Sequence, residues 1–316
     1  MPDSYTPAVR GLGVAIALAA AILVGAASFS AVRLAQVSTQ PLSVTMPPAQ
    51  QHILILGYGG GDHPGAYLSD SMMLVVNDGT RQAELSIPRD LWMPMPGSNA
   101  RAKINDALQL GYNAGGIDAG GDMAAKAAAN VTGMTITGWV LQDFDGFRQM
   151  VDALGGVDVN VQRTFSAQYP VNDDPDIDPS WKIVHFDAGP HHMDGERALE
   201  FARARYADNP AEASDFARSQ RQQLLVAAIR QKVASPAGAL HFLPLVNAVA
   251  AAVHTNLPPT ELAGFVSGFH PETAKHLALD DTNVLVDGKS ADGQDILLPK
   301  NGDYNLIATY VKQQLA

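Results

Sequence analysis

The chain contains no cysteine. That absence removes disulfides, thiolate metal sites and cysteine nucleophiles together. Positive charge is also scarce, with 21 Lys and Arg against 32 Asp and Glu and a formal net charge of −11. Duplex recognition depends on clustered cations meeting phosphates, so the balance argues against nucleic acid as the main partner. It does not forbid a local basic pocket. Only 17% of residues are charged and 47% are hydrophobic, which argues for a packed core rather than disorder. A length of 316 residues suffices for one large domain or two small ones.

From Gly11 to Val32 runs an uncharged apolar segment, GLGVAIALAAAILVGAASFSAV, between Arg10 and Arg33. About 20 apolar residues cross a hydrocarbon core. A cleaved signal peptide is the alternative, with small residues around Ala26–Ala31. Signal cores, however, run to only about 7–15 residues behind a more basic start. One Arg on each side gives no positive-inside asymmetry. The expected organisation is a short cytoplasmic tail (1–10), a transmembrane signal-anchor (11–32), a linker (33–51) and one catalytic domain (52–316). Gln36–Gln51 is rich in Ser, Thr, Gln and Pro, as befits an extended spacer above the bilayer. The single-pass chain is thereby expected in the cytoplasmic membrane, with its main domain extracytoplasmic.

Beyond the spacer, strand and helix patterns alternate, which predicts an α/β fold, layered α/β/α around a central mixed sheet. His52–Tyr58 reads as a buried strand running into Gly59-Gly60-Gly61. Ser71–Val76 and Ala83–Ile87 read as strands joined by the turn Asn77-Asp78-Gly79-Thr80. Helices are predicted over Lys103–Tyr112 and Ala119–Val131, separated by Gly115-Gly116. A strand at Trp139–Gln142, a helix at Phe144–Leu154 and a strand at Val157–Val161 come next. Thr164–Ser180 reads as a polar, proline-broken loop. Helices are then expected over Asp194–Ala202, Asp215–Val233, Ala237–Val253 and Pro259–Phe269. Leu277–Val286 is strand-like, and Tyr304–Leu315 closes the chain as a helix.

Chemistry concentrates in a few positions. Arg89 ends a predicted strand in Ser86-Ile87-Pro88-Arg89-Asp90, where pairing with Asp90 is the structural alternative. Arg203 and Arg205 lie two apart; if the preceding helix ends near Phe201, they share one face of an extended segment. In the helix after Asp215, Arg218 and Gln222 continue the apolar stripe of Leu225 and Ile229. Polar groups there must be satisfied, by an internal carboxylate or by a phosphate matching the guanidinium fork. Asp70 precedes a strand; it caps a turn or holds Mg²⁺.

The order of these motifs resembles the LytR–CpsA–Psr family. A glycine loop follows the first strand, then come Ser69-Asp70-Ser71-Met72-Met73-Leu74, Ser86–Asp90 and Lys103-Ile104-Asn105. Asp143–Phe147, Val151–Val159, Asp194–Arg205 and Asp215–Gln223 complete the series. The likeness covers roughly residues 53–233. It implies a phosphotransferase that moves a glycopolymer from a polyprenyl-pyrophosphate carrier to a peptidoglycan acceptor. It also implies an apolar pocket for the polyprenyl chain, arginines on the pyrophosphate and Mg²⁺ on aspartate. Carried over by position, Asp70, Arg89, Arg203 and Arg205 are the catalytic candidates, with Arg218 and Gln222 added for pyrophosphate binding. Family members carry an aspartate where this chain has Gly59. Asp62 or His63 is expected to reach that place, or Asp70 holds the metal alone.

Weaker signals were set aside. Gly288-Lys289-Ser290 imitates a P-loop but has Asn283 where the earlier glycine belongs. Asp173, Asp174, Asp176 and Asp178 lack the glycine and glutamate of a calcium loop. His191-His192 reads as loop, and Trp92, Trp139 and Trp181 as core or pocket wall. Two rivals remain for function: a hydrolase splitting the same lipid pyrophosphate with water, and a non-enzymatic regulatory protein that binds it. The anchor and the acidic charge weigh against direct gene regulation. A fragment beginning at Gln50 should be soluble and fold cooperatively, because tail, anchor and spacer add nothing to the core. Aggregation of that fragment, with only the full chain behaving in detergent, would place the boundary elsewhere.

Overall fold

The computed structural model describes residues 51–61, 65–79, 81–171, 180–204, 207–213, 215–234, 253–270 and 273–316. The expected anchor lies outside them, as does the expected helix Ala237–Val253 except for its last residue. Among the described residues no helix is long and apolar enough to cross a membrane.

The first strands are β1 (Gln51–Tyr58), β2 (Ser69–Asn77) and β3 (Gln82–Ile87), followed by the short β4 (Trp92–Pro94) and β5 (Arg101–Lys103). Helix α1 (Asp106–Thr132) precedes β6 (Gly138–Asp143), α2 (Phe144–Ala153) and β7 (Val157–Val161). Then come β8 (Phe165–Pro170), β9 (Trp181–Phe186), β10 (Gly189–Met193), α3 (Gly195–Arg203) and α4 (Asp215–Ala234). The chain ends with β11 (Val253–Thr255), α5 (Pro259–Gly268), β12 (Lys275–Ala278), β13 (Leu285–Lys289), β14 (Asp295–Pro299) and α6 (Asn305–Leu315).

Six strands form the central sheet in the order β11-β6-β1-β2-β3-β12. It is mixed: β1 runs parallel to β6 and β3 to β12, while the β1–β2, β2–β3 and β6–β11 pairs are antiparallel. Helices cover both faces, which explains why the central strands read as continuous apolar runs. Alternation sends Ile53 and Ile55 to one layer, with Phe147, Met150, Leu199, Phe201, Leu225 and Ile229. Leu54 and Leu56 go to the other, with Leu108, Ala124, Ala127, Trp139, Ile307 and Val311.

The break expected at Gly115-Gly116 is present as a kink within α1, where both residues leave helical φ/ψ and Gly116 has φ 81°. The polar loop expected over Thr164–Ser180 needs correction. Its flanks form the antiparallel β8–β9 hairpin, with Phe165, Ala167 and Tyr169 facing inward at period two. The intervening prolines and acidic residues obscured that alternation. His191 and His192 lie on β10 rather than in a loop, paired with β7. Leu277–Val286 is split between β12 and β13. Val253 opens a strand instead of closing a helix. Trp139 is buried as expected, but Trp181 is 51% exposed on β9.

Candidate active site

Strand direction gathers the polar groups. The ends of β1, β3 and β6 and the start of β2 fall at one edge of the sheet. There Tyr58 is flanked by Asp143 of β6 and Ser69 of β2, two strand spacings or about 10 Å apart. Asp70 follows Ser69, and Arg89 stands two residues beyond β3.

Arg89 Nη1 donates to Asp70 Oδ1 at 2.7 Å. Its Nε lies 3.5 Å from Asp90 Oδ2, an ion-pair distance without a hydrogen bond. Burial opposes the Arg89 charge, yet Asp70 and Asp90 outweigh it and raise the pKa above the usual guanidinium value. Asp90 also takes Lys103 Nζ at 2.9 Å. Asn105 fixes the spacing of this cluster through its backbone: its N–H donates to Arg89 O and its carbonyl accepts from Ser69 N, both at 3.3 Å. Sequence reasoning saw Asn105 only as part of a motif.

The glycine loop crosses the same edge. Gly60 and Gly61 have φ of 75° and 90°, and a Cβ on Gly60 would come within 2.9 Å of Asp143 Cβ. Both constraints demand glycine. Asp143 caps α2 by accepting from Gly146 N at 2.6 Å, and burial raises its pKa. Beneath the loop, Tyr67 stacks between Tyr58 and Tyr112, with ring centroids 5.6 and 3.5 Å away. Burial, then Asp143, pushes the Tyr58 hydroxyl pKa up.

Arg203 is the last residue of α3, one residue beyond the expected end at Ala202, so it is helical rather than part of an extended segment. Ala204 leaves it in an extended conformation. The Arg203 guanidinium carbon sits 4.0 Å from the centroid of the Phe144 ring and 5.3 Å from that of Tyr169. Nη1 donates to the Tyr169 hydroxyl at 3.0 Å. Phe144 follows Asp143, which brings Arg203 to the edge that carries Asp70 and Arg89. Arg205, Asp62 and His63 lie outside the described residues. Arg218 and Gln222 are on α4, in register with the buried Leu225 and Ile229, and their side chains lie outside the description.

One arginine was missed. Arg221 is 3% exposed and ties the end of α3 to α4. Nε donates to Phe201 O at 3.2 Å and Nη2 to Ala204 O at 2.8 Å. Nη1 meets Glu212 Oε2 at 2.7 Å and Glu212 O at 3.0 Å. Burial lowers its pKa, opposed by Glu212. The signal was in Ser219-Gln220-Arg221-Gln222, but nothing local told a structural arginine from its neighbour Arg218 three residues earlier.

Among the described residues no group of three His, Asp or Glu side chains is set to hold a metal ion. Asp70, half-exposed and engaged by Arg89 through one oxygen, is the carboxylate closest to Arg89. Mg²⁺ takes as few as one or two carboxylates when phosphates complete its shell, so the donor set fits an ion brought with a phosphorylated ligand.

A mixed α/β sheet with helices on both faces and cationic groups at one strand edge defines the class of the molecule. The chain belongs to the LytR_cpsA_psr family, whose model matches residues 27–312. It is 30% identical over 243 residues to the polyisoprenyl-teichoic acid–peptidoglycan teichoic acid transferase TagV of Bacillus subtilis, covering 75% of this chain and 54% of the relative. It is 29% identical over 229 residues to the TagU transferase of Bacillus mycoides, covering 72% and 66%. The chain thus spans between half and two thirds of those curated relatives. The crystal structure of B. subtilis TagV superposes with a TM-score of 0.59 at 25% identity, covering 85% of this chain and 98% of that one.

Replacing Arg221 by Met should lower unfolding stability by about 3–5 kcal/mol in urea denaturation, because it strands the buried Glu212 carboxylate. Arg163, 52% exposed and 3.0 Å from the same Glu212, should cost at most about 1 kcal/mol when changed to Ala. Equal effects would contradict the division of roles.

Proposed function

We propose that the chain is a phosphotransferase that moves a glycopolymer from a polyprenyl-pyrophosphate carrier to peptidoglycan. The observation that carries this reading is Arg203, seated on Phe144 where the apolar inner layer meets the polar strand edge. An amphiphile with a long apolar tail and a charged head requires that junction. The names of the curated relatives supply the substrate class. Residues 1–10, 11–32 and 33–51 serve as tail, membrane anchor and linker, and residues 52–316 act outside the cytoplasmic membrane.

In the proposed reaction an acceptor hydroxyl, the 6-hydroxyl of muramic acid, attacks the sugar-bearing phosphorus. A new P–O bond forms to the acceptor, the bond to the bridging oxygen breaks, and polyprenyl phosphate departs with the electron pair. Arg89, Arg203, Arg205 and Arg218 neutralise the pyrophosphate and the charge growing on the leaving phosphate, and Gln222 adds a hydrogen bond. Asp70 accepts the hydroxyl proton with the oxygen that Arg89 leaves unengaged. Positioning and electrostatics dominate such chemistry. Asp70 would also hold Mg²⁺, with Asp62 as the second candidate, and the ion when bound supplies charge neutralisation on phosphate oxygens.

Arg203→Ala should lower transfer from labelled lipid-linked saccharide to peptidoglycan fragments by about 10²–10³-fold, with a thermal midpoint shifted by only a few degrees. Release of free saccharide without acceptor would favour a hydrolase, and binding without turnover a regulatory protein. Asp70→Asn should remove Mg²⁺-dependent transfer, while Asp62→Asn should leave most of it. Comparable damage from both, in activity measured against Mg²⁺ concentration, would instead divide the metal between them.

A further inference from the structure

Gln142 is 1% exposed, and among the described residues both its amide nitrogen and its amide oxygen lack a hydrogen-bond partner. It is the penultimate residue of β6, beside Gly57 of β1 and Val253 of β11. Burying an amide without partners is unfavourable, so a native chain keeps one only where something else meets it.

The direction of the side chain says what that is. Val140 of β6 packs into the inner layer with α2, α3 and α4, whereas Trp139 and Leu141 pack into the opposite one. Alternation therefore aims Gln142 into the inner layer. On that face, at the same level, Gly57 contributes no side chain, and the next strand offers Ser71, itself buried, whose Oγ accepts from Gly57 N at 3.1 Å. Two residues along the chain, Phe144 carries the Arg203 guanidinium. The amide thus lies on the apolar side of the arginines, one step below the polar edge.

We propose that Gln142 binds the tail-side phosphate of the lipid pyrophosphate, at the point where the isoprenoid chain leaves the head group. Its N–H donates to a non-bridging oxygen of that phosphate, and its carbonyl oxygen accepts from a water of the head group. This rests on the reading of the site as a polyprenyl-pyrophosphate site and assigns it a further substrate contact. In transfer, the tail-side phosphate is the leaving group, so the same donor stabilises the charge it gains.

The test uses the full chain in detergent with Mg²⁺ and three probes: geranylgeranyl pyrophosphate, geranylgeraniol and inorganic pyrophosphate. Gln142→Leu removes the amide at nearly constant volume, and Gln142→Met repeats the test with a more adaptable side chain. Both variants should keep or raise the ligand-free thermal midpoint, because an unsatisfied buried amide has gone. Their affinity for geranylgeranyl pyrophosphate should fall about 10- to 100-fold, the range for a hydrogen bond to a charged group, with geranylgeraniol binding unchanged. A fall in the ligand-free midpoint of both variants would show that Gln142 has an internal partner and overturn the proposal. So would unchanged affinity for geranylgeranyl pyrophosphate in variants of a parent that binds it. A parent that ignores geranylgeranyl pyrophosphate would sink the underlying reading of the site, and this proposal with it.

Discussion

A guanidinium withdrawn from water must find acceptors for its donors, and Arg221 finds them in two carbonyls at the end of α3 and in the Glu212 side chain and carbonyl. Those bonds fix where α3 stops, how the chain between α3 and α4 returns, and how α4 approaches. Arg203 ends α3, Arg205 follows it, and Arg218 sits one turn before Arg221 on α4. The backbone positions of Arg203 and Arg218 therefore depend on one buried ion pair for their mutual placement. Such a pair contributes little net stability compared with apolar packing, but breaking it is costly. Its value here lies in specifying a single arrangement of a segment that carries several like charges.

The arginines differ in environment, and the difference follows from burial and partners. Arg89 stands between two aspartates, and that local neutralisation raises its pKa despite burial. Arg203 lies against two aromatic rings and a tyrosine hydroxyl, contacts that orient the guanidinium plane. The net charge of −11 is thus no guide to the site. An acidic total coexists with Arg89 and Arg203 at one strand edge, where the apolar layer beneath strengthens local fields.

Much of this was legible from period and punctuation. The central strands, α2, β7, α4 and α6 were placed within a few residues, because two-sided burial makes strands continuously apolar and because turns carried Gly, Asn or Asp. The hairpin β8–β9 was not. Its inward residues Phe165, Ala167 and Tyr169 alternate with polar ones, but Pro170 and the acidic run between the strands gave a louder loop signal. Short strands such as β4, β5 and β11 have three residues each, too few to show any period. Asp70, Arg89 and Arg203 were singled out as candidates through motif order, not through periodicity. Asn105 acts through backbone groups that every residue possesses, and Arg221 through a partner, Glu212, nine residues earlier in the chain between the two helices. Neither role leaves a mark on residue type alone.

Gln142 illustrates a different limit. In sequence it looks like the polar end of a strand, and polar strand ends are ordinary. Only the structure shows that it is fully enclosed and faces an apolar layer. Local rules agree with the fold nearly everywhere else along β1, β2 and β6, and natural sequences depart from such agreement chiefly where function demands it. A leucine there would satisfy every requirement of the fold and remove an unmet donor and acceptor. The departure stands at the level where an apolar tail would give way to a phosphate. At that depth a purely apolar wall would offer a phosphate no donor, and an amide supplies one without adding to the charge that the arginines already carry.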